Sequence, residues 1–176
     1  MVAAANQRSV VVEVAVDSLA GARAAVAAGA DRLELCQSLG EGGLTPGTGL
    51  LELVVLHVAV PVFAMIRPRA GDFLYDAAEF ATMGAEIRAA KAAGAAGIVS
   101  GPLTADGHLD RDRLRELIEL AAPLPFTCHR AFDLCVDPLA ALATLRELGA
   151  ARVLTSGQQR DAVPPRRCAD GLDPDR

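Results

Sequence analysis

Four short apolar runs in this chain stop abruptly at polar, chemically capable residues. They are Leu33-Glu34-Leu35-Cys36, Met65-Ile66-Arg67-Pro68-Arg69, Phe126-Thr127-Cys128-His129-Arg130 and Val153-Leu154-Thr155-Ser156-Gly157. A strand buried on both faces of a parallel sheet reads as such a burst, and α/β folds place their sites at the carboxyl ends of the strands. One pattern therefore predicts both an architecture and the face that carries function.

The rest of the chain repeats the same cycle. Val10 to Val16 is apolar and β-branched apart from Glu13 and reads as a strand; Asp17-Ser18 then supplies an N-cap for a helix over Leu19 to Ala28. Further strands are expected at Arg32–Cys36, Pro61–Ile66, Gly97–Ser100, Pro125–His129 and Arg152–Thr155. Helices are expected near Leu50–His57 and over Asp76–Ala93, Asp110–Ala122 and Asp137–Leu148. Gly-Ala-x precedes three of the strands, at Gly29, Gly94 and Gly149, where glycine can close the preceding helix. Strand starts lie about 20 to 35 residues apart, the length of a βα unit. The fold class is therefore α/β, a TIM (β/α)8-barrel-like fold with about six βα units, hence incomplete. A doubly wound sheet is the runner-up, and no Gly-x-Gly-x-x-Gly follows the first strand to support it. Residues 1–158 read as one incomplete barrel domain. Residues 159–176, with Pro164-Pro165 and Arg166-Arg167, read as an irregular tail expected to be disordered. The open edges of so short a barrel are an association hazard.

Composition narrows the function classes. Net charge is −5, spread along 176 residues, which argues against nucleic-acid binding. No run approaches the roughly 18 apolar residues of a membrane span. Met1 to Ser9 lacks the pattern of a secretory leader, so the expected location is cytoplasmic. The four cysteines, Cys36, Cys128, Cys135 and Cys168, form no C-x-x-C pair and are expected to be reduced thiols.

In such a barrel the loops after the strands converge on one mouth. Glu34, Cys36, Arg67, Arg69, His129, Arg130, Asp133 and Ser156 are expected to ring it. Glu13, a charge inside the first strand, is expected to meet Arg67 or Arg130 across the barrel, because a buried carboxylate is costly unless paired. The arginines would make the mouth cationic and suit a carboxylate or phosphate on a small anionic metabolite; equally, they could neutralise Glu13 and Glu34. His129 with Asp133 could form a general acid–base pair. A sulfur-based metal site is the other chemistry open to these residues, with Cys36 as the candidate ligand for Cu(I). Cys128 and His129 are adjacent, so at most one faces inward with ease.

The sequence resembles the CutC family at Glu34-Leu35-Cys36, Gly42-Gly43-Leu44-Thr45-Pro46, and Ala64-Met65-Ile66-Arg67-Pro68-Arg69-Ala70-Gly71-Asp72-Phe73. It does so again at Gly101-Pro102-Leu103-Thr104-Ala105-Asp106-Gly107, His129-Arg130-Ala131-Phe132-Asp133 and Leu154-Thr155-Ser156-Gly157-Gln158. The similarity covers about residues 9 to 158. The resemblance implies a TIM-barrel-like fold, a cytoplasmic location, self-association as a homo-oligomer, and a role in copper homeostasis with copper binding. Cys36 stands at the position where the resemblance implies a Cu(I) ligand. Two departures stand out: Cys128 replaces an expected aromatic residue, and the chain is expected to be truncated after Gln158, where family members continue with further strands and helices.

Overall fold

The computed structural model describes residues 10–159 and Ala162. Its strands are β1 (Glu13–Val16), β2 (Arg32–Leu35), β3 (Val62–Met65), β4 (Gly97–Ser100), β5 (Phe126–Cys128) and β6 (Arg152–Val153). They alternate with helices α1 (Leu19–Ala27), α2 (Thr48–His57), α3 (Ala77–Ala92), α4 (Arg111–Ala121) and α5 (Pro138–Glu147). All six strands pair in parallel and in chain order, β1 to β6. The expected elements are all present, with ends displaced by a few residues. The largest difference is at the start: Val10, Val11 and Val12 are exposed and β1 begins at Glu13, with the Val12 carbonyl accepting from Asp31 N at the foot of the ladder.

The sheet is curled. The Arg152 guanidinium on β6 lies 4.3 Å from the centre of the Phe63 ring on β3, and that of Arg32 on β2 lies 4.9 Å from the same ring. In a flat sheet β3 and β6 would stand about 14 Å apart, at roughly 4.8 Å per ladder. Side chains that meet across three ladders in this way fit a concave inner face, the wall of an incomplete TIM-like barrel.

Period-two alternation then sorts every strand residue. Leu33, Leu35, Val62, Ala64, Ile66, Ile98 and Phe126 point outward and pack under Leu51, Val54, Met83, Ile87, Leu114, Leu117 and Leu145 of the helices. Each such buried side chain contributes about 1.5–3 kcal/mol, so this outer layer holds the fold together. The inner face carries a small cluster of Cys36, Phe63, Met65 and Val99. Gly97 stands opposite Phe63 in the ladder, and a Cβ there would overlap the ring. Glycine is what admits Phe63 to the crowded inner wall.

Local signals start and stop the helices as their sequences predict. Ser18, Asp76, Asp110 and Asp137 each accept a backbone N–H in the first turn, and Asp76 with Glu79 completes a capping box. Gly29, Gly94 and Gly149 all take positive φ just past a helix. No helix among the described residues is long and apolar enough to cross a membrane. The expected tail over residues 159–176 lies outside the described residues, apart from Gln159 and Ala162.

Candidate functional site

A cavity of about 470 Å³ opens at the carboxyl ends of the strands. Arg67, Phe73, Arg130, Asp133 and Gln158 line it, together with Glu41, Gly42, Leu134 and Gln159. The loops after β3, β5 and β6 thus meet at the mouth as expected.

Arg67 is the best-held cation there. It is 5% exposed, and its Nη1 donates to the carbonyls of Glu41 (2.7 Å) and Gly43 (3.2 Å) while Nη2 donates to that of Gly71 (2.8 Å). Its partners are neutral: no ion pair among the described residues includes Arg67. The reading in which it neutralises Glu13 or Glu34 is therefore corrected. Arg130 pairs with Asp133 through Nε at 3.2 Å and also reaches Ser156 and the Gln159 carbonyl. Arg69 turns away from the cavity to Asp72 and Glu79, anchoring the loop to the start of α3.

The expected His129–Asp133 couple is not formed. The Asp133 oxygens accept from Thr155 Oγ1 (2.6 Å), Ser156 N (2.9 Å), Ser156 Oγ (2.9 Å) and Gln158 N (3.0 Å), besides Arg130. Burial alone would raise the Asp133 carboxyl; the donors from Thr155, Gln158 and Ser156 outweigh it and hold the group below the usual carboxylate range. Two sequence motifs, His129 to Asp133 and Leu154 to Gln158, are joined at this one carboxylate. His129 caps its own short 3-10 turn, Nδ1 accepting from Ala131 N at 3.2 Å, while Nε2 is buried with no partner. Burial first, and then the charge of Arg67, lowers its pKa to about 3, so the imidazole is neutral.

The remaining candidates lie deeper. Glu13 pairs with Arg32, its register partner on β2, instead of Arg67 or Arg130. Glu34 is 6% exposed, and its Oε1 accepts from the Cys36 thiol at 3.4 Å. Burial, then the charge of Glu13, raises it to about 7. Cys36 is fully buried, and burial followed by the Glu34 charge pushes its thiol above the usual cysteine range. A Cβ at Gly43 would stand 3.0 Å from the Cys36 sulfur and 3.4 Å from the Met65 methyl, so the two sulfur side chains share one roof. Cys128 packs in the outer core while the His129 ring packs against Phe73, in line with their adjacency. Cys36, Cys128 and Cys135 are all free thiols, and no group of three or more His, Cys, Asp or Glu side chains among the described residues could hold a metal.

Sequence reasoning missed Phe73, whose ring touches both Arg67 and His129, and the inner cations Arg32 and Arg152. Alternation offered a signal for Arg32, which shares its face with Glu34 and Cys36.

A curled parallel sheet of βα units with guanidinium groups lining a cavity at its strand ends defines an incomplete barrel-type α/β protein. Within that class the chain belongs to the CutC family, whose pattern matches residues 10–168. It is 54% identical over 151 residues to the human copper homeostasis protein cutC homolog, covering 86% of this chain and 55% of that one. It is 47% identical to a CutC family protein of Photobacterium profundum over 92% of this chain and 63% of the other. A CutC crystal structure from Streptococcus agalactiae superposes with a TM-score of 0.82 at 29% identity, covering 86% of this chain and 75% of that one. The chain thus spans little more than half the length of the human protein.

Proposed function

We propose that this protein takes part in copper homeostasis, the role its relatives are named for, in the cytoplasm. The chemistry its barrel mouth supports best is the binding of a small anionic metabolite by Arg67, with Arg130 beside it. One observation carries the anion reading: the Arg67 guanidinium is buried at the cavity wall with carbonyl partners but no carboxylate. A buried cation without a counter-charge is costly, and a bound anion offsets that cost. Asp133 brings negative charge to the same wall, but its lone pairs are already taken.

A thermal-shift series with oxalate, malonate and inorganic phosphate tests this. At least one anion is expected to raise the melting temperature, as any ligand of the folded state does. Arg67→Ala should abolish the rise. Arg67→Lys, which keeps the charge and loses the fork, should weaken binding about tenfold. A panel with no response, or an undiminished response in both variants, overturns the reading.

A second reading, Cu(I) carried by Cys36, is favoured by the Met65 thioether beside the thiol under Gly43. Thiolate and thioether are soft donors that select Cu(I). The raised thiol pKa opposes it, because the metal must displace a proton that burial holds in place. This reading expects one equivalent of Cu(I) in a chelator competition and binding weakened about tenfold or more by Cys36→Ser. Unchanged binding in that variant removes Cys36 as a ligand.

A further inference from the structure

Phe73 lies between the Arg67 guanidinium and the His129 imidazole. Its ring centre lies 4.7 Å from that of His129 and 4.8 Å from the Arg67 guanidinium carbon, and the residue also lines the mouth cavity. His129 Nε2 is a buried nitrogen without an acceptor, while Arg67, whose Nε is also buried, interacts with the buried Tyr75 hydroxyl. Because His129 Nδ1 accepts the Ala131 N–H, the imidazole proton sits on Nε2. The ring is neutral, its pKa lowered by burial and by Arg67. It is also hemmed in: a Cβ at Gly101 would stand 2.9 Å from Nδ1, so only glycine leaves the imidazole room. A buried donor with no acceptor is costly, and such groups in native folds call for an explanation.

The loop carrying Phe73 is tied to Arg67 by one neutral contact, the Gly71 carbonyl accepting from Nη2 at 2.8 Å. Gly71 has φ of +92° and stands two residues before Phe73. A carboxylate or phosphoryl oxygen is a stronger acceptor for guanidinium than a carbonyl. An anion arriving at Arg67 therefore competes with this one contact. Leu103 N on the Phe73 carbonyl and Arg69 on the Ala70 and Leu74 carbonyls keep the backbone in place and leave the Phe73 ring as the part that moves.

We infer that an oxyanion seated on Arg67 displaces the Phe73 ring and takes the His129 Nε2–H as a second hydrogen bond. His129 then serves the ligand as a neutral donor, beside the charge of Arg67. The ligand class is a small molecule bearing a carboxylate or phosphoryl group, with one oxygen for each partner. This inference rests on the anion reading of the mouth.

The test uses the whole chain labelled with ¹⁵N-histidine, oxalate as the probe, and calorimetry beside NMR. Binding is expected to move the His129 Nε2–H resonance downfield and slow its exchange with solvent. His129→Ala should weaken oxalate about tenfold. Phe73→Leu should tighten it about fivefold, because a smaller wedge is cheaper to displace; a ring that stacks on the ligand would give the opposite sign. If oxalate binds through Arg67 but the Nε2–H stays unmoved and Phe73→Leu does not tighten binding, the subsite is overturned and the mouth reading stands. If oxalate, malonate and phosphate all fail to bind, both fall together.

Discussion

Replacing Asp133 by Ala is expected to lower the stability of the protein by about 2 kcal/mol. The buried carboxylate is the shared acceptor for Thr155, Ser156, Gln158 and Arg130, and its loss breaks this cluster, although water can reach most of the freed donors. It also releases the segment after β6 from the turn after β5, so the loss reaches two elements. The folded-state pKa is depressed, so the stabilising contribution is fully present above the ordinary aspartate value near 3.8. It disappears as pH falls below that value toward the folded pKa. Urea titrations at pH 7 and pH 3 check both statements. Asp133→Ala with a midpoint equal to wild type at pH 7 would show that the clasp contributes nothing.

The opposite sign is expected at Glu34. Its pKa is raised from 4.5 to about 7, by burial first and then by Glu13. Between those values the folded protein keeps a proton that the unfolded chain has released. The contribution is therefore complete below pH 4.5 and is lost as pH rises through 7. At about 1.4 kcal/mol per pKa unit, wild-type stability should fall by on the order of 3 kcal/mol between pH 4 and pH 8 from this group. Glu34→Gln keeps the shape and an acceptor for the Cys36 thiol without the charge. It should match wild type at pH 4, exceed it by a similar amount at pH 8, and flatten the slope between. A slope unchanged in the Gln variant would assign the pH dependence elsewhere.

The barrel elements were legible because each depends on short-range patterning. Gly97–Ser100 is a continuous buried run, and Asp76, Asp110 and Asp137 are caps whose partners lie within the next turn. The gathering of Arg67, Arg130 and Asp133 at one mouth followed from parallel topology alone. Pairing within the site was not legible. Glu13 meets Arg32 because the β1–β2 register sets them opposite, and register depends on contacts between distant segments. His129 and Asp133 are close in sequence, yet the clustered donors of Thr155, Ser156 and Gln158 capture the carboxylate. Phe73 gave no chemical signal on its own; its importance is positional, fixed by a loop that folds back on Arg67.

The chain-order sheet has a consequence for synthesis on the ribosome. Every described strand bonds only to the strand before and after it in sequence, so no ladder waits for a distant segment to emerge. Each closure spans a single βα unit, which keeps the entropy of closing it small. Docking can then proceed vectorially, with each new strand finding its template already displayed by the one made just before. This corner of the mouth forms late among the described elements: Asp133 gathers its donors only after Gln158 has left the exit tunnel, so the clasp closes once the sixth strand has been added.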